Sequence, residues 1–222
     1  MSSKKALILG ILLLVPLLVF IFVGSFGEHH FTLKTLFPKT DEEGEVLFDE
    51  KGDTLFHQVP GFAFTSQQGE RVTQQDLENK IYVTNFFFAS CPDVCKKMSS
   101  QLSRVQEAFA DNPSVNIVSL TVNPENDSPE VLAEYASMYG ADPKKWIFLT
   151  GNREEIYTLA QQGFYLPVQQ VEGQQDFIHS EKFMLVDKNQ HIRGQYDGTD
   201  PVEVDRLITE INVLLDEYSK SK

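Results

Sequence analysis

Residues 81–110 read IYVTNFFFASCPDVCKKMSSQLSRVQEAFA, and a change of hydrophobic period inside them decides the fold. From Ile81 to Phe88 the run is almost continuously β-branched or aromatic, as a strand covered on both faces requires. From Leu102 through Val105 to Phe109 the apolar residues recur at helical spacing. The only two cysteines of the chain, Cys91 and Cys95, therefore fall where a strand turns into a helix.

Working outward, FAFT and RVT flank a glycine-containing turn as a hairpin would, and DLENK is a short helical turn. VNIVSLTV is another buried strand. SPEVLAEYASMYG is a helix with Val131, Leu132, Tyr135 and Met138 on one face, ended by Gly140. WIFLT is a short strand, and NREEIYTLAQQG a helix capped by Asn152. EKFMLVD and HIRGQYDG pair as a hairpin; the last helix opens on Asp200 and Pro201 and buries Val204, Leu207, Ile208, Ile211, Leu214 and Leu215. Strands alternating with helices, then a terminal hairpin and helix, predict an α/β fold: a thioredoxin-like domain over residues 59–218, with a mixed β-sheet flanked by helices.

Ahead of that domain, Lys4 and Lys5 precede an apolar run over residues 6–23, whose length suits one transmembrane helix better than a signal-peptide core. No small-residue cleavage site is convincing and no cysteine is placed for a lipid anchor, so residues 1–27 read as an uncleaved signal anchor. The lysines then stay inside. The rest of this single-pass protein of the cytoplasmic membrane lies in the periplasm or extracytoplasmic space, where thiols can oxidise. Residues 28–58 are polar and irregular and read as a tether, and no internal repeat stands out. With 32 acidic against 19 basic residues the net charge is -13, which excludes a nucleic-acid partner and suits solubility or a basic partner.

Cys91 and Cys95 are one helical turn apart, close enough for a disulfide. A bridge that closes so small a loop restrains few unfolded conformations, so a purely structural role is the least attractive. A helix start also stabilises a thiolate through its unpaired amides and dipole. Disulfide exchange ordinarily uses a spacing one residue shorter, whereas two soft thiolates suit Cu(I) or zinc. His179, just before the strand that starts at Glu181, is the candidate third ligand: a thioredoxin-like topology brings that loop opposite the helix start. Two sulfurs and one imidazole form a set common for copper, while structural zinc takes four ligands. Met98 on the cysteine helix and His57 and His191 on the domain read as packing or surface residues. His29 and His30 read as juxtamembrane tether.

FFFASCPDVCKKM, TVNPENDSPEVLAEYASMYGADPKKWIFLTG, EEIYTLAQQGFY and DFIHSEKFMLVDKNQHIRGQYDGTD together resemble the SCO/SenC family, membrane-anchored copper proteins of cytochrome c oxidase assembly. The resemblance runs from about Val59 to Leu215. It implies that Cys91, Cys95 and His179 ligate copper, as Cu(I) or Cu(II), and that the client is the copper site of cytochrome c oxidase subunit II. Asp93 matches the family's CPDVC motif. Asn123 departs from it where relatives carry Asp, with Asp127 retained, and Lys96 stands where many have Pro.

Three activities remain open on these residues. A metallochaperone would hold copper on Cys91, Cys95 and His179 and pass it on by ligand exchange. A thiol-disulfide oxidoreductase would use Cys91 and Cys95 as a redox-active disulfide to reduce partner cysteines, without needing His179. Peroxide reduction at Cys91 lacks the Thr or Ser that peroxiredoxins place three residues earlier, where this chain has Phe88.

Overall fold

The computed structural model describes residues 12–21, 32–169, 177–178 and 180–220. Lys4, Lys5, His29, His30 and His179 lie outside them. The chain divides into two units, residues 1–32 and 33–222. In the first, α1 (residues 12–21) is the described part of the apolar run. Among the described residues no helix is long and apolar enough to cross a membrane.

The second unit runs β1 (Ala63–Ser66), β2 (Arg71–Thr73), a 3-10 turn (Gln74–Leu77), β3 (Ile81–Phe87), α2 (Val94–Ala108), β4 (Val115–Thr121), α3 (Pro129–Met138), β5 (Trp146–Thr150), α4 (Arg153–Thr158), a π turn (Leu159–Gly163), β6 (Val168–Gln169), β7 (Phe177–Ile178), β8 (Lys182–Val186), β9 (Ile192–Asp197) and α5 (Pro201–Lys220). Seven strands form one sheet in the order β2-β1-β5-β4-β3-β8-β9, and β6 and β7 form a separate pair. β3, β4 and β5 are parallel; β1, β8 and β9 join antiparallel. This is the mixed, helix-flanked sheet that the pattern of periods predicts.

β3 is buried along its whole length, because each face meets a different layer. Ile81, Val83 and Phe87 pack with Met98, Leu102 and Val105 of α2, Leu132 and Tyr135 of α3, and Val204, Leu207, Ile211 and Leu214 of α5. Tyr82 and Phe86 pack on the other face with Ile156, Leu159 and Phe164. Asn85, on the first face, is satisfied by the Ser119 hydroxyl at 2.6 Å, which in turn accepts the Trp146 indole N–H at 2.8 Å. α3 differs from its expected face: Leu132, Tyr135 and Ala136 are buried, but Val131 and Met138 are 36% and 66% exposed.

Residues 38–56, inside the stretch read as a tether, carry a short repeat after all: DEEGEVLF (41–48) followed by DEKGDTLF (49–56). Each copy begins with an aspartate whose Oδ1 accepts the N–H groups two and four residues on, at 2.8–3.0 Å. Gly44 and Gly52 take φ near +87° and +88°, a conformation only glycine adopts without strain. Three short extended pieces close on themselves. Leu47 N–H donates to Lys39 C=O, Leu55 N–H to Leu47 C=O and Lys39 N–H to Leu55 C=O, at 2.8–2.9 Å.

The start of this segment is latched by ions. Arg193 donates to Asp187 at 2.9 Å, to Glu217 at 3.0 Å and to the carbonyls of Leu33 and Lys34, while Glu217 accepts the Leu33 N–H at 2.6 Å. Near it His57 Nε2 meets the Gly163 carbonyl at 3.0 Å and the His191 ring faces Asp187 at 3.9 Å, so neither histidine is a bare surface residue. Burial holds the His191 pKa below the usual value of 6.5; Arg193, Lys39 and His57 add to this and Asp187 opposes it. Between 6.5 and that lower value the unfolded chain binds more protons, so the stability from His191 is complete above 6.5 and declines as pH falls through the window. Urea midpoints taken from about pH 7.5 down to about 5 should therefore drop, and His191→Gln should flatten that slope.

Candidate functional site

The site grows from the carboxyl end of β3. Continuous pairing with β4 carries the strand to Phe87, whose carbonyl accepts the Val122 N–H at 2.8 Å. Beyond it the chain leaves the sheet as a loop. Asp127 fixes that loop: buried, with 1% exposure, its Oδ2 accepts the Ala89 N–H at 3.1 Å and the Thr121 hydroxyl. Burial pushes the Asp127 carboxyl above its usual range, and these two hydrogen bonds oppose the shift. Removing the carboxylate would strand two donors, so Asp127→Ala should cost about 1–3 kcal/mol. Faster hydrogen exchange at the Ala89 amide, together with a lower urea midpoint, is the expected signature.

Cys91 N–H donates to Phe88 C=O at 3.2 Å, and α2 begins at Val94, later than the start near Pro92 that the spacing suggests. Cys95 is thus in the first turn of the helix and Cys91 just ahead of it. The backbone N–H of Cys95 donates to the Cys91 sulfur at 3.3 Å. Both cysteines are free thiols, 5% and 6% exposed. Burial, a hydrogen bond to Cys91 and the nearby Cys91 and Asp127 push the Cys95 thiol up to about 12, against a donation from the Phe88 amide. Tyr135, from α3, donates its hydroxyl to the Cys95 carbonyl at 3.3 Å and sits 2.9 Å from the Ser99 hydroxyl. The cysteine turn is therefore held from both sides.

Asp93 occupies the N-cap position without a capping bond and instead pairs with Lys97 at 2.9 Å, both exposed. Met98 is buried in the core among α2, α3 and β3 rather than facing the thiols from solvent. Asn123 accepts from Asn126 Nδ2 at 3.0 Å, so an amide closes that turn. Of the proposed ligands, Cys91 and Cys95 come together, while His179 falls outside the described residues. Among the described residues no group of three His, Cys, Asp or Glu side chains is placed to hold a metal. Tyr135 and Asp127 are the supports that periodicity gave no role at the site. Tyr135 reads only as an apolar face residue, and Asp127 only as a match to a motif.

Chemically, two soft sulfurs within one turn can close into a disulfide or bind a thiophilic metal, and either reaction must expose them first.

The model of the SCO1/SenC family matches residues 51–216. The SCO1 protein homolog of Bacillus subtilis (strain 168) is 31% identical over 161 residues, covering 72% of this chain and 83% of its own. Among solved structures, BsSco, a member of the Sco family of cytochrome c oxidase assembly proteins with a disulfide switch, is 31% identical with a TM-score of 0.62 over 70% of this chain and 92% of its own. Bradyrhizobium japonicum ScoI, solved with copper bound, is 25% identical with a TM-score of 0.58 over 69% of this chain and 98% of its own.

Proposed function

Because the chain belongs to the SCO1/SenC family, we propose that it is a copper metallochaperone that supports assembly of the copper site of cytochrome c oxidase subunit II. Copper, as Cu(I) or Cu(II), is held by Cys91, Cys95 and His179. The apolar run over residues 6–23 anchors the chain, and the domain over residues 59–218 works on the outer face of the cytoplasmic membrane. The observation that carries this reading is the pair of free thiols, with the Cys95 amide turned onto the Cys91 sulfur.

The donor chemistry fits: thiolates are soft ligands, and an imidazole completes a three-ligand set. Strand register supports His179 as that imidazole. β8 pairs antiparallel with β3 through Tyr82 and Val186, Val83 and Leu185, and Thr84 and Met184. Continued at the same register, Ser180 falls level with Phe88 in the turn that leads to Cys91, and His179 is its neighbour in the chain. Copper bound in B. japonicum ScoI supports the cargo, and the membership of BsSco in the cytochrome c oxidase assembly proteins supports the client.

A second reading, thiol-disulfide exchange with a partner's cysteines, is favoured by the contact between Cys91 and Cys95 and by the disulfide switch of BsSco. One experiment separates the two. The full chain in detergent is loaded anaerobically with copper, and its sulfur-to-nitrogen ligand ratio is read by X-ray absorption. Wild type should give two sulfurs to one histidine nitrogen, and His179→Ala should lose the nitrogen and weaken binding by roughly 10-fold or more. An unchanged ligand ratio in His179→Ala would remove the third ligand, whereas exchange activity should survive this substitution.

A further inference from the structure

We propose that the closed three-piece element of residues 38–56 is a docking surface for a basic, aromatic-bearing segment of a partner protein. Its backbone is ordered by its own ring of hydrogen bonds, yet none of its side chains is buried. Ordering a residue costs about 1–2 kcal/mol in backbone entropy, which side-chain burial ordinarily offsets. Here Leu47, Phe48 and Leu55 remain 38%, 59% and 38% exposed. Val46, Thr54 and Phe56 are only half-buried. An ordered element with uncovered apolar side chains is the form of an interface awaiting its other half.

Charge selects the occupant. Asp41, Glu42, Glu43, Glu45, Asp49, Glu50 and Asp53 lie in the same element against two cations, Lys39 and Lys51, and none of the seven carboxylates is ion-paired among the described residues. Anionic lipid headgroups would be repelled. So would a second copy of the same face. A polypeptide with Lys or Arg flanking an aromatic residue satisfies both the carboxylates and the apolar side chains. The family match begins at residue 51, inside the second repeat, so most of this surface precedes it.

The test uses the full chain in nanodiscs carrying Phe48→Trp, with a peptide of about 16 residues built from Lys, Arg and two Phe as probe and its Glu-substituted counterpart as control. The basic peptide should shift the emission of the introduced indole to shorter wavelength, and its affinity should fall about tenfold between low and physiological salt. Trp146, the one native indole, is fully buried and serves as a constant background. In fluorescence anisotropy with labelled peptide, Glu42→Gln/Glu43→Gln/Glu50→Gln and Leu47→Ser/Phe48→Ser should each weaken binding about tenfold. Both variants spare Asp41 and Asp49, which shape the turns, and circular dichroism checks that the fold is kept. Equal binding of the acidic peptide, or binding unaffected by either variant, overturns the proposal. So does an emission shift in phosphatidylglycerol nanodiscs without peptide, which assigns the face to lipid. Dimerisation in detergent that Phe48→Ser abolishes would assign it to a second copy, with the same consequence.

Discussion

Cys91→Ser and Cys95→Ser should each weaken copper binding by the full chain roughly a hundredfold or more, leaving protein purified with copper almost metal-free. A serine hydroxyl is a hard donor that stays protonated at neutral pH, so each substitution removes a soft ligand outright rather than lengthening a bond. The fold should survive, because the Tyr135 hydroxyl reaches the backbone carbonyl of Cys95 and the Asp127 carboxylate the amide of Ala89. Elemental analysis beside a urea titration checks both halves. Full copper occupancy in either variant would sink the ligand assignment, and with it the carrier role.

Arg193→Met should cost about 3–5 kcal/mol, because it removes the one cation of a buried ion cluster. Arg193 is only 9% exposed in its side chain, and it holds Asp187, 2% exposed, and Glu217, 18% exposed. Methionine can fill the space but leaves two carboxylates facing each other without a counter-ion. The carbonyls of Leu33 and Lys34 also lose their donor. Urea unfolding should report the energy, and hydrogen exchange across residues 33–36 should report release of the latched segment. Retention of protection there would mean that the Leu36 N–H bond to the Ile192 carbonyl, the Leu33 N–H bond to Glu217 and the contact of Phe37 with Tyr165 hold the segment without Arg193.

The domain was legible wherever hydrophobic period and local chemistry agree. Ile81–Phe87 is buried throughout as its composition requires, and Asn152 caps α4 by accepting the Glu155 N–H at 3.1 Å. The hairpins FAFT/RVT and EKFMLVD/HIRGQYDG appear as β1–β2 and β8–β9. The thiol pair was equally visible, because spacing alone places it at a strand-to-helix turn. What periodicity misses are contacts across the chain. Asp127 reads as one more acid ahead of a helix until Ala89, 38 residues away, donates to it. The start of α2 moved for a local reason: the Cys91 amide closes a turn onto the Phe88 carbonyl and Asp93, at φ -139°, is still non-helical, so regular helix begins at Val94. Residues 41–56 escaped because their order comes from eight-residue copies of a polar turn, a period that matches neither a helix nor a strand.

The near-complete enclosure of the two sulfurs has a kinetic meaning. An ion or partner thiol colliding with the closed domain finds almost no reactive atom, so the rate of useful encounters scales with the fraction of time that the turn around Cys91 stands open. In the proposed carrier role, Tyr135 and Asp127 are then the escapement of this clockwork: the tighter they grip, the longer a load would be kept and the more slowly it would be handed over.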